Sequence, residues 1–374
     1  MVSVAMKPTI IHIIQSLARG GTETLLVGVI KAMPQYEHRI ISLQKRNEFP
    51  GELDESIITY LNLKGYASLP KLVLQVRALL KPFQGKAIVH AHMFWANIIS
   101  RFAVPRNMPL FNSYHSMAYG REGANYPLHA VWLDRYSYQK RVYTLCVSGA
   151  VKENIARYIN IHDRVEVLHN YIEAGFYREK EISYVPGQTL RLVAVGNLKS
   201  AKNYDLALEA LHLLNKNGKA HLCTLDIFGA GPLEAPLKKK AHDWGLANIR
   251  FMGLVTDVAA RLVHYDAYLL TSSNEGFGIA VAEAMASGLP VLVSDLPVLR
   301  EVTGGHALFF DIQDSPALAA HIEAIYEGRV NLRAMVAAAT QQAARFSKDN
   351  YIHRLGEIYQ TGFKNLRGSK LQML

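Results

Sequence analysis

Short apolar runs alternate with longer segments of helical period along the whole of this 374-residue chain, and no other feature narrows its fold so far. Such alternation builds parallel α/β units, because parallel strands need a crossover to reach their neighbours. In the first half, strands are expected near Thr9–Ile14, His38–Leu43, Ala87–His90, Leu110–Ser113, Tyr143–Val147 and Val165–Leu168, with helices starting near Thr22, Pro70, Phe94, Pro127 and Ala150. In the second half, strands are expected near Leu190–Val195, Cys223–Phe228, Ile249–Met252, Ala267–Leu270, Pro290–Val293 and Ala307–Phe309. Helices should begin there near Asn203, Pro232, Thr256 and Ile279. Two series of six strands do not fit one open sheet. The stretch Glu179–Thr189 contains Val185-Pro186-Gly187, has no periodicity and reads as the linker.

After Asp314 the chain reads as helical, with a last helix from about Lys348 to Asn365 that can reach back over the first domain. The expectation is an α/β protein with two facing, doubly wound parallel-sheet domains and an interdomain cleft. One covers residues 1–180, with a C-terminal helix of about 350–374 packing back on it, and the other covers 190–348. A length of 374 suits two domains at roughly 150 residues each. Ligands of open parallel sheets sit beyond the carboxyl ends of strands, so the loops there are the place to look for chemistry.

Composition removes several classes. Half the residues are hydrophobic and 19% are charged, which excludes a disordered chain. Cys146 and Cys223 are too few for a disulfide scaffold and lack metal-ligand spacing, so a reducing compartment is expected. The run TIIHIIQSL from Thr9 is cut short by Arg19-Gly20-Gly21, below the roughly 18 apolar residues of a membrane helix. It also lacks the basic start and small-residue cleavage site of a secretory signal. These readings predict a soluble, cytoplasmic protein.

The densest motif runs from Ser272 to Met285, through Glu275-Gly276-Phe277-Gly278, and its helix ends near Ser287-Gly288-Leu289-Pro290. Gly276 and Gly278 let backbone N–H groups approach a ligand without a Cβ in the way. The helix that follows aims its positive end and free donors into the same space, which makes an anion site suited to phosphate. Glu275 and Glu283 lie eight positions apart, on the order of 10 Å along a helix. That is wide for the roughly 5–9.5 Å carboxylate pair of a glycosidase. It suits two hydroxyl-bearing groups at opposite ends of a diphosphate, since a carboxylate accepts two hydroxyl hydrogen bonds at once. Taken singly, Glu275 also reads as a carboxylate complementing a helix dipole and Glu283 as part of a solvated face.

With its Glu-x7-Glu element, the chain resembles the retaining, nucleotide-sugar-dependent glycosyltransferases of the GT4 type (glycosyl transferases group 1), which have the GT-B fold of two Rossmann-like domains. The resemblance rests on an ordered series: GGTE from Gly20, VHAH from Val89, SYHS from Ser113 and VSGAVKENI from Val147. It continues with VGNL-x3-KN from Val195, FGAGPLE from Phe228, EGFGIAVAEAMASGLPV from Glu275 and LREV from Leu299. It implies transfer of a hexose-type unit from a nucleoside diphosphate sugar, UDP- or GDP-linked, to an acceptor hydroxyl with retention of configuration. Cell-surface polysaccharide, lipopolysaccharide or glycolipid synthesis is the implied setting, with no cofactor beyond the donor itself.

The same resemblance implies the site. Gly20 and Gly21, before a helix expected to be capped by Thr22, would close over the donor diphosphate. Lys202 would neutralise the leaving group, an electrostatic task. The family commonly has Arg where this chain has Asn197, which removes a bidentate phosphate donor, and Lys199 is the candidate substitute. Gly253-Leu254-Val255 would hold the base and Glu283 the ribose, with Gly276, Phe277 and Gly278 on the diphosphate. His115 and Glu275 would stand at the reacting sugar. Asn170 is followed by Tyr171 where the family has glycine.

Other motifs carry less. Gly229-Ala230-Gly231 lacks the third glycine of a dinucleotide fingerprint and reads as a tight turn. His90 and His92 are expected to face opposite sides of their strand and to lack a third ligand, so no metal site is assigned. No Asp-x-Asp occurs, which argues for metal-independent catalysis.

Charge is uneven: residues 1–185 carry 22 Lys and Arg against 14 Asp and Glu, within a net charge of +10. A basic half suggests an anionic partner such as a membrane surface, nucleic acid or an acidic acceptor. The segment from Leu69 to Lys81 is a basic amphipathic helix that fits either a membrane face or, more simply, a domain helix against its sheet. The segment Trp132–Tyr143 interleaves Arg135, Lys140 and Arg141 with aromatic anchors. A lipid-linked acceptor with peripheral membrane contact fits both. Two rivals stand beside this reading: a nucleotide-sugar epimerase on the same scaffold, and a basic nucleic-acid-binding protein, although the basic residues form no recognised nucleic-acid module.

Overall fold

The structure, a computed structural model, describes residues 7–65, 68–120, 126–178 and 184–371. Seven strands form the first sheet: β1 (Thr9–Ile14), β2 (Glu37–Ser42), β3 (Ile58–Tyr60), β4 (Ala87–His92), β5 (Leu110–Tyr114), β6 (Tyr143–Cys146) and β7 (Val165–Val167). Their order is β3-β2-β1-β4-β5-β6-β7 and every pairing is parallel. Six strands form the second: β8 (Leu190–Val195), β9 (Cys223–Phe228), β10 (Ile249–Gly253), β11 (Ala267–Leu270), β12 (Val291–Ser294) and β13 (Leu308–Phe310). They run β10-β9-β8-β11-β12-β13, again all parallel. Each order reverses once, between β1 and β4 and between β8 and β11. Those switch points open a crevice beyond the strand ends where ligands of such sheets bind.

The helices of the first unit are α1 (Gly21–Ala32), α2 (Leu69–Leu80), α3 (Phe94–Ala103), α4 (Leu128–Ser137) and α5 (Gly149–Ile159). Those of the second are α6 (Tyr204–Lys216), α7 (Glu234–Asp243), α8 (Val258–Leu262), α9 (Ile279–Ala286), α10 (Pro297–Thr303), α11 (Ser315–Tyr326) and α12 (Leu332–Ala343). The last helix, α13 (Lys348–Leu371), returns to the first unit. There Tyr359 donates to or accepts from His90 Nδ1 at 2.6 Å and Phe363 stacks on Tyr36 at 5.8 Å. Gly362 lets α13 lie close on the sheet, since a Cβ there would come within 2.9 Å of the Phe111 ring.

Strands β1 and β4 are buried at every position, as expected for central strands covered on both faces. Full burial of each large aliphatic side chain there is worth about 1.5–3 kcal/mol. The expected series of six strands in the first half becomes seven. Ile58-Thr59-Tyr60 is too short to show a period, and it pairs at the sheet edge with Ile40–Ser42. The division of the chain also differs from the expected linker. One unit runs to Asn170 and resumes at Asp349, and the other spans Tyr171–Lys348. The residues just before the expected linker are already tied to the second unit. Ile172 N–H donates to Phe346 O at 2.8 Å, Tyr177 Oη to Ala343 O at 3.1 Å and Arg178 N–H to Ala286 O at 3.2 Å. Part of the linker itself, residues 179–183, lies outside the described residues.

Helix α2 is a domain helix. Leu72, Val76 and Leu80 are buried against the first unit's core, while Lys71, Arg77 and Lys81 face outward. A second polar feature sits inside this unit. Arg101 on α3 and Asp134 on α4 are both fully buried and ion-paired, with Asn112, Tyr114, Tyr119 and Ser137 completing the network.

Candidate functional site

In the second unit, the loops after β8 and β11 flank the switch point and are bonded to one another. Ser273 N–H donates to Ala201 O at 2.9 Å and Thr271 Oγ1 to Lys202 O at 2.9 Å. These ties bring Lys202 Nζ to 2.5 Å from Glu275 Oε1, and Ser272 Oγ donates to the same oxygen at 2.8 Å. Both side chains of the ion pair keep some solvent contact, 24% for Lys202 and 12% for Glu275. The pairing puts a cation and a hydrogen-bond acceptor side by side at the mouth of the loop.

Gly278 is the N-cap of α9 with φ of 83°, a conformation that glycine adopts without strain. A Cβ at Gly278 would also lie 2.7 Å from Leu299 Cδ2. Gly278 supplies no side-chain cap to α9, whose first N–H groups lie at the helix's positive end. Phe277 departs from its expected part in donor binding: its ring is 2% exposed and packs edge-on against Phe346 at 5.1 Å. Its bulk anchors the loop in the core, leaving Gly276 and Gly278 as the positions without side chains.

Glu283 lies on α9, mostly covered, and burial pushes its carboxyl up to about 8, with the Glu173 carboxylate adding to the rise. It is therefore not the solvated helix position that its sequence also allowed. Asn197 and Lys199 are exposed in the loop after β8, whereas Leu198 between them is buried. Val255 follows β10 at the edge of the sheet, two strands from β8. The Gly229-Ala230-Gly231 turn is structural: Leu198 N–H donates to Ala230 O at 3.1 Å, and a Cβ at Gly231 would meet Leu198 O at 2.5 Å.

In the first unit, the loop after β1 leads into α1, whose N-cap is Gly20 rather than the expected Thr22. Thr22 falls inside the first turn, and a Cβ on Gly20 would collide with Glu23 Oε2 at 2.7 Å. His115 stands just beyond β5. Its surroundings hold what the sequence analysis missed. His90 and His92 share one face of β4, because side chains two apart on a strand project the same way. Their rings lie 4.0 Å apart, and His12 from β1 joins them. One ring nitrogen from each of His12, His90 and His92 falls within 4.8 Å of the others, so the absent third ligand is in fact present.

All six nitrogens of that trio are already engaged. His90 reaches Tyr359 Oη at 2.6 Å and Ser113 Oγ at 2.7 Å, and His12 reaches His38 at 3.1 Å and His92 at 3.3 Å. His92 Nδ1 approaches His115 Nε2 at 3.5 Å. The arrangement is a hydrogen-bonded array more than a vacant ligand set. Burial holds His12, His90 and His92 well below the usual histidine range, with neighbouring imidazoles adding to the effect. Burial likewise lowers His115 to about 4. A signal for this cluster did exist: His12 interrupts an apolar run, and His38 opens the next one.

Comparison with known proteins gives the family and the fold. Residues 19–175 match the family model described as Glycosyltransferase Family 4, and residues 177–343 match that described as Glycosyl transferases group 1. The putative glycosyltransferase EpsF of Bacillus subtilis (strain 168) is 24% identical over 369 residues, covering 91% of this chain and 90% of the relative. The O-antigen chain mannosyltransferase RfbU of Salmonella typhimurium is 26% identical over 238 residues, or 60% of this chain and 61% of the relative. Among solved structures, Anabaena Alr3699/HepE in complex with UDP superposes with a TM-score of 0.80 at 16% identity, covering 94% of this chain and all of that one. Sucrose-phosphate synthase from Thermosynechococcus elongatus gives 0.79 at 15% identity, covering 95% and 99%.

Proposed function

The chain belongs to the GT-B glycosyltransferases of the family-4 and group-1 type, and from that premise we propose that it moves a sugar from a UDP- or GDP-sugar to an acceptor hydroxyl with retention of configuration. The observation that carries the reading is the joining of Lys202, Glu275, the two glycines and the open end of α9 at the second sheet's switch point. A diphosphate needs cations and N–H donors together, and a sugar needs a carboxylate beside them.

In this reading Lys202, Gly276, Gly278 and the first turn of α9 receive the diphosphate, with Lys199 beside them in place of the Arg that Asn197 displaces. Glu275 holds the sugar and Glu283 the ribose, while Val255 borders the base. From the first unit, Gly20 and Gly21 serve the diphosphate and His115 the sugar. The glycosidic carbon breaks its bond to the phosphate oxygen as the acceptor oxygen bonds on the same face. The acceptor's proton passes to the departing phosphate. Charge on that phosphate grows in the transition state, which is where Lys202 and the α9 donors act. Neither a metal ion nor a further cofactor enters this scheme.

The acceptor is proposed to be a lipid-linked glycan reached at the cytoplasmic face of a membrane, in polysaccharide, lipopolysaccharide or glycolipid assembly. O-antigen synthesis by the relative RfbU supports this setting. So does a surface of the first unit: Leu74, Leu128, Trp132 and Tyr136 are 64–84% exposed on α2 and α4, with Arg77 and Arg135 among them. A shallow apolar depression of about 580 Å³ lies beside Leu74, between it, Phe102 and Leu133. Exposed aromatic and basic residues of this kind suit an anionic interface. No helix among the described residues is long and apolar enough to cross a membrane.

A thermal-shift panel of UDP-, GDP- and ADP-sugars tests the donor, since a ligand that binds the folded state raises the melting temperature. One class should shift the wild type and the others leave it unmoved, and Lys202→Ala should keep most of that shift because its loss is expected in kcat. Absence of any shift would remove the reading, as would donor turnover without acceptor, which marks an epimerase. Cosedimentation with anionic vesicles, weakened on raising salt, tests the membrane contact.

A further inference from the structure

Four histidines occupy four neighbouring strands or their ends: His38 on β2, His12 on β1, His92 on β4 and His115 just past β5. Their ring nitrogens form one continuous series. His38 Nε2 lies 3.0 Å from the Met33 carbonyl oxygen, and His38 Nδ1 lies 3.1 Å from His12 Nε2. His12 Nδ1 is 3.3 Å from His92 Nε2, and His92 Nδ1 is 3.5 Å from His115 Nε2. His115 Nδ1, at the far end, is shielded from solvent and has no hydrogen-bond partner among the described residues.

Direction follows from the first link. A carbonyl oxygen can only accept, so His38 must carry its proton on Nε2. A neutral imidazole has one N–H, which leaves His38 Nδ1 as a lone pair and obliges His12 Nε2 to donate. The same step then fixes the proton of His92 on Nε2, and after it the proton of His115. A charged member would be protonated on both nitrogens and would break a link, and burial keeps these rings neutral. His90 stands outside the series, because Tyr359 and Ser113 take its two nitrogens.

We propose that His38, His12 and His92 are positioning residues that lock His115 in its Nε2–H tautomer, so that the buried Nδ1 can only accept a hydrogen bond from its ligand. A lone pair there selects a hydroxyl and rejects an unprotonated phosphate oxygen. At His115 the first unit therefore reads a sugar hydroxyl rather than a phosphate oxygen. That the hydroxyl belongs to a sugar rests on the glycosyl-transfer reading above; the tautomer does not.

Ring-nitrogen NMR of the full chain labelled with ¹⁵N-histidine, with a His115→Phe variant for assignment, tests the tautomer near neutral pH. The wild type should show His115 as a single tautomer, protonated at Nε2 and bare at Nδ1. His92→Leu should turn it into a mixture, and His92→Asn, whose amide oxygen can stand where Nδ1 stood, should restore a single form. A wild-type His115 protonated at Nδ1, or a mixture, overturns the proposal even if the variants fold poorly. So does an unchanged His115 in His92→Leu. If no nucleotide sugar shifts the melting temperature but the single tautomer is found, the glycosyl-transfer reading fails and the series stands. If a nucleotide sugar binds and His115 is mixed, the series alone fails.

Discussion

The two switch points solve opposite problems with the same topology. Around the first, polar groups are buried and neutral: His12, His90 and His92 are no more than 3% exposed and every nitrogen has a partner. Around the second, Lys202 and Glu275 are charged and keep contact with water. A buried neutral array can set the direction of a hydrogen bond but cannot answer a large change in charge. An ion pair that keeps some solvent contact, 24% and 12% here, can exchange its partner for a diphosphate at lower cost than a fully buried one.

The contrast is sharpest where the first unit does bury a charge. Arg101 and Asp134 are about 1% exposed or less, so Asp134→Ala strands a buried guanidinium. Loss of about 3–5 kcal/mol is expected, read as the urea midpoint of the first unit's transition. A variant as stable as the wild type would mean that water reaches this pair. Next in size is the double variant Glu275→Gln, Glu283→Gln. It should cut sugar transfer by about 10²–10³-fold while the fold survives, since glutamine keeps the size and one hydrogen-bonding oxygen of each carboxyl. Full activity would detach the second switch point from the chemistry.

Removing the cation alone should cost less. Lys202→Ala deletes one charge-assisted bond, worth about 1.5–3 kcal/mol, and so lowers kcat/KM for the nucleotide sugar by roughly 10–150-fold. The drop should lie mainly in kcat if the lysine meets charge that develops on the leaving phosphate. An equal rise in KM with kcat unchanged would instead make it a binding residue.

Strands with a clear apolar run were legible to the residue: β1, β8, β9 and β11 fall where the sequence puts them. β3 was not, because three residues carry no period, and the unit boundary was not, because Tyr171–Arg178 is tied to the second unit by backbone bonds that composition does not record. The Glu275–Gly278 loop was legible as a motif, yet its ion pair with Lys202 joins residues 73 positions apart. Phe277 reads as part of the loop but behaves as core. The histidine array was hidden for a different reason: its members come from β2, β1, β4 and the end of β5, and only sheet order makes them neighbours.

The smallest expected effect probes how the second unit tolerates the raised carboxyl of Glu283. Glu283 titrates at about 8 in the folded chain against an ordinary 4.5, so between those values the folded state holds a proton that the unfolded state has released. Stability from this group is complete below about pH 4.5 and is lost as pH rises through 8. Glu283→Gln mimics the protonated form and does not titrate. Its melting temperature should match the wild type below about pH 4 and exceed it by pH 9. Because Glu283 keeps some solvent contact, the difference should be on the order of 1 kcal/mol, or about 2–4 °C for a unit of this size. Parallel melting curves for the two proteins would show that the carboxyl is already ionised at neutral pH. If ribose hydroxyls bind it as proposed, they favour the carboxylate, and saturating UDP should flatten the wild-type slope across the same window. A slope that persists with UDP bound would remove Glu283 from the ribose while leaving its burial intact.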